Sequence, residues 1–183
     1  MELQDKLYID ERLDESHMRY LTFLTDHQLF GLPITEVVQI TQIQEIIPLP
    51  EQSHYIKGII NLRGQIVPVI DVRLRFGKEA AAPTERTCII IAHVQESDFG
   101  LIVDEVDEVV DIEAEQISTP PKTGADSNTA NDYLTGIAQL KMSGGQKERV
   151  ALLLHAGKIL GESEFASLSQ STEDLRAASM DRL

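Results

Sequence analysis

The chain is 183 residues long, with 30 acidic residues against 16 basic ones and a formal net charge of −14. That charge repels phosphate backbones, and no basic patch with interleaved aromatics offsets it, so nucleic acid is excluded as a partner. With 42% hydrophobic residues and no apolar run near the roughly 20 residues of a bilayer span, the composition reads as a globular domain without direct membrane insertion.

Residues 1–17 are polar and charged, with Leu3, Leu7, Ile9 and Leu13 spaced loosely like a helix face, which predicts a short helix or frayed arm. They lack the basic and apolar regions of a signal peptide, so the chain reads as cytoplasmic. From Tyr20 the texture changes to short apolar runs broken by turns at 26–28, 48–51 and 77–83. Strands at that spacing, with no strong helical period between them, predict a mainly β barrel or sandwich. The stretch Thr35-Glu36-Val37-Val38-Gln39-Ile40 predicts a single helical turn entering a strand.

The most informative segment follows. Two apolar alternations flank Leu62-Arg63-Gly64-Gln65, which reads as a hairpin turn because Gly64 can adopt positive φ. Pro68 lies in the return strand and cannot donate to a ladder, which predicts an edge strand or a bulge. Further on, Cys88-Ile89-Ile90-Ile91-Ala92 is apolar at every position, so its strand is expected to be covered on both faces. A turn at 95–98 leads into Phe99-Gly100-Leu101-Ile102-Val103. Val106, Val109, Val110 and Ile112 then alternate imperfectly with acids. Residues 119–131 predict a long exposed loop, Ser143-Gly144-Gly145 a turn, 150–154 a last buried strand, and 161–183 a terminal helix with a loose tail.

Catalytic constellations are missing from this pattern. The five histidines, at 17, 27, 54, 93 and 155, have no i+3 or i+4 partner and none is near Cys88 in sequence, so the usual zinc spacings are absent. A single cysteine excludes a disulfide within the chain, and Cys88 in a β-branched run reads as a core thiol rather than a nucleophile. Phosphate-binding and nucleophile-elbow signatures are absent as well. The acidic stretch 104–115 contains no glycine and interleaves valines at core spacing, so it reads as an amphipathic hairpin rather than a calcium loop. No catalytic residue, metal site or cofactor is expected.

Asn61-Leu62-Arg63-Gly64, the apolar strand after it and Asp71-Val72-Arg73 together resemble the signature of the CheW-like family, the chemotaxis coupling proteins. Tyr20-Leu21-Thr22-Phe23-Leu24, Phe30-Gly31-Leu32-Pro33-Ile34, Ile56-Lys57-Gly58-Ile59-Ile60, Phe99-Gly100-Leu101-Ile102-Val103 and Tyr133-Leu134-Thr135-Gly136-Ile137 extend the likeness over residues 20–160. The resemblance implies two packed five-stranded SH3-like β barrels with short terminal helices. It places the CheW-like domain at 18–161, between an N-terminal arm (1–17) and a C-terminal helix or tail (162–183). It implies a non-enzymatic adaptor between the cytoplasmic tip of a chemoreceptor (a methyl-accepting chemotaxis protein) and the regulatory domain of the histidine kinase CheA. The binding residues it implies are Arg63, Asn61, Val37, Gln39, Thr87, Val106 and Val109, whereas Asp71 and Arg73 read as structural, pairing inside the barrel. Two departures stand out: Gln39 where many relatives carry Glu, and Glu105 where glycine is common. A scaffold of a chemosensory pathway with an output other than swimming stays open at this point.

Overall fold

The computed structural model describes residues 17–121, 133–141 and 147–180; the expected N-terminal arm, most of the 119–131 loop and the 143–145 turn lie outside them. Among the described residues eleven strands form two sheets. The six-stranded sheet contains β1 (His17–Thr25), β2 (Gln28–Pro33), β8 (Glu105–Glu113), β9 (Ile117–Ser118), β10 (Leu134–Leu140) and β11 (Arg149–Leu154), in the order β8-β1-β2-β11-β10-β9. The five-stranded sheet contains β3 (Val37–Gln42), β4 (Ile56–Leu62), β5 (Gln65–Asp71), β6 (Cys88–Val94) and β7 (Ser97–Val103), in the order β3-β6-β7-β5-β4. Three helices accompany them: α1 (Val72–Arg75), α2 (Ala156–Ile159) and α3 (Glu162–Met180). The expected mainly β architecture holds, and the extra strand of the first sheet is only two residues long.

Both sheets curl because the chain joins their edges. In the six-stranded sheet a single 3₁₀ turn, Ala114–Gln116, connects edge strand β8 to edge strand β9. In the five-stranded sheet the chain beyond β3 returns to β4, where Ile47 and Ile59 exchange backbone hydrogen bonds of 2.8 Å each way. Curling covers edges that would otherwise template aggregation. Each barrel encloses its own small core: Tyr20, Leu29, Ile112, Ala138, Ala151 and Leu153 in one, Ile60, Val67, Val69, Ile89 and Ile91 in the other.

A third and larger core lies between the barrels, built around Phe23, Phe30, Leu32, Ile70, Ile90, Ala92, Phe99, Leu101 and Leu154. This explains the uninterrupted apolar run of β6. Ile89 and Ile91 point into the barrel while Ile90 and Ala92 point into the inter-barrel core, so both faces are buried. Alternation of side chains across a strand makes this possible, and only a strand with two buried faces needs it.

The chain crosses between barrels twice. It leaves β2 through the 3₁₀ turn Ile34–Glu36 into β3, as the expected helical turn, and returns from β7 to β8 through Asp104. Strands β1, β2 and β8–β11 therefore share one barrel although five strands separate them in sequence.

Pro68 behaves differently from a simple edge residue. Strand β5 is interior to its sheet, between β7 and β4, but its parallel pairing with β7 begins only at Val69. Pro68 is thus paired to Ile59 on one side and stands beyond the ladder on the other, so its missing N–H costs no bond. The groove there is lined by Phe99, Leu160 and Leu168 of α3, whose side chain is buried in the inter-barrel core.

Candidate functional site

The signature hairpin forms as expected, with one difference. β4 and β5 are joined by the two residues Arg63 and Gly64, with φ of 54° and 86°. Both central residues are left-handed, as in a type I′ turn, a geometry whose twist matches the strands and which favours Asn or Gly at both places. Sequence reasoning assigned positive φ to Gly64 alone. The Asn61 Oδ1 accepts a 2.8 Å hydrogen bond from the Gly64 N–H, so Asn61 shapes the turn with the side chain expected to bind a partner. Arg63 itself is exposed and hydrogen-bonds to no described residue. Its left-handed φ is shared by six other described non-glycine residues, among them Gln95 and Glu96 of the β6–β7 turn.

The remaining expected residues lie elsewhere. Val37, at the start of β3, and Val106, near the start of β8, pack half-buried on the rim of the inter-barrel core. Cys88, opposite Gln42 of β3 and Val103 of β7, hydrogen-bonds through its thiol with the Val106 backbone, while burial and the nearby Glu105 charge push its pKa up. That environment makes a poor nucleophile. Next to Cys88, Thr87 is half-buried and its Oγ1 accepts a 2.8 Å bond from the Thr84 N–H, closing a local turn. Glu105, the departure from glycine, forms an ion pair with Arg86 at 3.3 Å. Val109 continues the apolar line along β8 and is 51% exposed.

Gln39 is half-buried and paired with Ile91, one step past a register shift that begins at Val37. Val38 and Ile40, on the opposite face of the same edge strand, are 53% and 45% exposed. Sequence reading passed over these two. Their signal was available, since apolar residues on both faces of a strand that is paired on one edge only leave one set uncovered.

Strand register separates the two groups. β5 runs parallel to β7 with Val69 opposite Gly100, which puts Gln65 level with the β6–β7 turn at Gln95–Glu96. Arg63 and Asn61 therefore occupy that end of the five-stranded barrel. Cys88 pairs with Val103, and Asp71 with Ile102, so Thr87 and Val106 belong to the opposite end. Val37 pairs with Ala92 and Gln39 with Ile91, nearer the β6–β7 turn than Thr87 is, so the sequence-predicted residues are spread along the barrel rather than gathered in one place.

Asp71 and Arg73 make structural contacts, as expected, but Arg73 finds its ion-pair partners beyond the strands of its own barrel, while donating to the Glu79 carbonyl within it at 3.4 Å. Asp71 caps α1 by accepting from the Leu74 N–H at 3.3 Å. Arg73 reaches the crossover residue Asp104, with Nε at 2.9 and 3.1 Å and Nη2 at 2.6 Å from the carboxylate. Its Nη1 lies 3.5 Å from Asp26 in the β1–β2 turn of the other barrel. Burial pushes the Asp104 carboxyl up. The bonds from Arg73 and from the Asp26 N–H, with the Arg73 charge, outweigh this and hold it below its ordinary value. A lowered native pKa gives stability that is fully present above the ordinary carboxylate value near ~3.9 and is lost as pH falls through the native value. Urea midpoints of the wild type and Asp104→Asn are therefore expected to differ at pH ~7 and to converge toward pH ~3. An equal gap at both values would contradict this ion pair.

Among the described residues no group of three or more His, Cys, Asp or Glu is placed to hold a metal, and no helix is long and apolar enough to cross a membrane.

The CheW-like domain model matches residues 19–164. The chain is 31% identical over 147 residues to the chemotaxis protein CheW of Klebsiella aerogenes, spanning 80% of this chain and 84% of that one. It is 26% identical over 163 residues to the chemotaxis protein CheW of Treponema pallidum, spanning 86% and 90%. Among solved structures it resembles the scaffolding protein TtCheW from Thermoanaerobacter tengcongensis, with a TM-score of 0.64 and 31% identity over 75% of this chain and 88% of that chain. The chain belongs to the CheW-like family.

Proposed function

We propose that the chain is a non-enzymatic chemotaxis adaptor that couples the cytoplasmic tip of a chemoreceptor to the regulatory domain of the histidine kinase CheA. The observation that carries this reading is the spread of the candidate residues over a two-barrel body, with exposed Arg63 and Asn61 at one end of the five-stranded barrel and half-buried Thr87 at the other. An adaptor needs separated contact surfaces; an enzyme needs one converging site.

Val106 and Val109 on β8 suit the apolar stripe of a receptor helix laid between the barrels, and Val37 at the start of β3 offers a separate apolar contact. Arg63, raised on a stiff hairpin, offers a planar fork for a carboxylate or carbonyl of a partner. Gln39 contributes amide hydrogen bonds where many relatives offer charge, so the complementary receptor position is expected to lack a strong requirement for a cation. Modest individual contacts would gain strength from multivalent assembly beneath the membrane. The relatives named as chemotaxis proteins favour this output over another chemosensory pathway.

Simultaneous binding tests the reading. Immobilised receptor-tip fragment is loaded with this protein and then exposed to the kinase regulatory domain. A further mass increase is expected, abolished when this protein is omitted. Competition between the two partners for one surface would overturn an adaptor with separated contact surfaces.

A further inference from the structure

The two barrel crossovers are both pinned by an acidic side chain. At the first, Glu36 of the 3₁₀ turn accepts a 3.0 Å hydrogen bond from the Ala156 N–H at the start of α2 and lies 3.5 Å from His155. At the second, Asp104 accepts the Arg73 fork and a 2.8 Å bond from the Asp26 N–H, and its own N–H donates to the Leu24 carbonyl at 3.0 Å. Arg73 follows β5 in one barrel, while Leu24 and Asp26 belong to β1 and its turn in the other. Lys78 adds a 3.8 Å contact to Asp26. Side-chain exposure at this cluster is 19% for Arg73 and 32% for Asp104, which limits solvent screening relative to the outer ion pairs.

We propose that the Arg73–Asp104 pair fixes the angle between the two barrels and is thereby a positioning device for coupling, resting on the adaptor reading above. Asp104 is followed directly by Glu105, held by Arg86, and Val106, in contact with Cys88. The crossover that Arg73 grips is therefore the same segment that presents the apolar rim. Arg73 touches neither candidate face. A planar, bidentate guanidinium resists rotation about the crossover in a way a single ammonium contact does not. Fixing the angle lets strain applied by one partner at the rim reach the other partner across the inter-barrel core, as a coupling between sites requires. Loosening the angle leaves each face intact but disconnects them.

The test reads angle and coupling separately. On a Cys88→Ser background, spin labels replace exposed Lys57 in β4 and exposed Gln139 in β10, one per barrel, and the distance distribution between them is measured. The wild type is expected to give a single narrow distribution; a broad one in the wild type overturns the proposal without any mutant. Arg73→Lys, which keeps the charge, and Arg73→Gln are expected to broaden it while the protein stays folded. Receptor-dependent kinase activation is expected to fall about tenfold in Arg73→Gln, with each partner's separate affinity within about twofold of wild type. Unchanged distances with lost activation, or lost binding of a single partner, would place Arg73 on an interface and overturn the clamp. Arg73→Lys keeps the decision open to measurement if Arg73→Gln does not fold. Failure of the wild type to couple the partners refutes the adaptor reading, whereas coupling that survives in the variants refutes only the clamp.

Discussion

Gly58→Ala is expected to destabilise the protein by about 3 kcal/mol or more, through strain and steric clash together. Gly58 has φ of +142°, and a Cβ built there would stand 2.0 Å from the Ile47 carbonyl oxygen and 2.9 Å from the Pro48 Cα. Both are backbone atoms, so no rotamer change relieves the contact. The residue also lies at a register shift in the β4–β5 ladder, next to the Ile47–Ile59 bridge that closes the five-stranded barrel. Adding one methyl group therefore forces β4 and the 43–47 segment apart and opens the barrel at its seam. Chemical denaturation of the variant is the measurement, with a large drop in midpoint expected. A loss below about 1 kcal/mol would mean that the seam can separate freely and that closure contributes little.

The second large effect is functional. Arg63→Ala is expected to change stability by less than about 0.5 kcal/mol, since the side chain is exposed and without a described partner. Arg63→Gly is expected to leave stability equal or raised by up to about 1 kcal/mol, because glycine accepts the left-handed φ at no steric cost. Both variants are expected to weaken partner binding or coupling by about 1–3 kcal/mol, as loss of a partly desolvated arginine contact does. Arg63→Lys keeps the charge but loses the fork and restores only part of this. Melting temperature and partner affinity measured side by side separate the outcomes. A glycine variant that melts at or above the wild-type temperature yet binds poorly fits an arginine retained for recognition. Normal binding by all three variants would return Arg63 to a solvated turn residue.

Much of this was legible in the sequence because it is local. The signature hairpin, the 3₁₀ entry into β3 and the doubly buried β6 all follow from alternation and turn chemistry within ten residues. Local pattern fails where partners are distant. Nothing near Arg73 announces Asp104, 31 positions away, or Asp26 in the other barrel, because the two barrels are assembled from interleaved strands. Pro68 read as marking an edge strand or a bulge since its missing donor was visible, while the late start of the β5–β7 ladder and the register shift beside Gly58 were not. Gly58 lay in plain view within a recognised motif, but its need for glycine comes from Ile47, which reaches it only through barrel closure. The candidate residues could be named from the sequence but not placed, since their positions depend on which barrel end each strand terminus occupies.

The adaptor account is tested most directly by reconstituted autophosphorylation of the kinase with receptor fragments, with and without this protein. It predicts that receptor state changes the kinase rate only when the protein is present, and that the protein alone transfers no phosphate. Receptor control of the kinase that persists undiminished in its absence would contradict it.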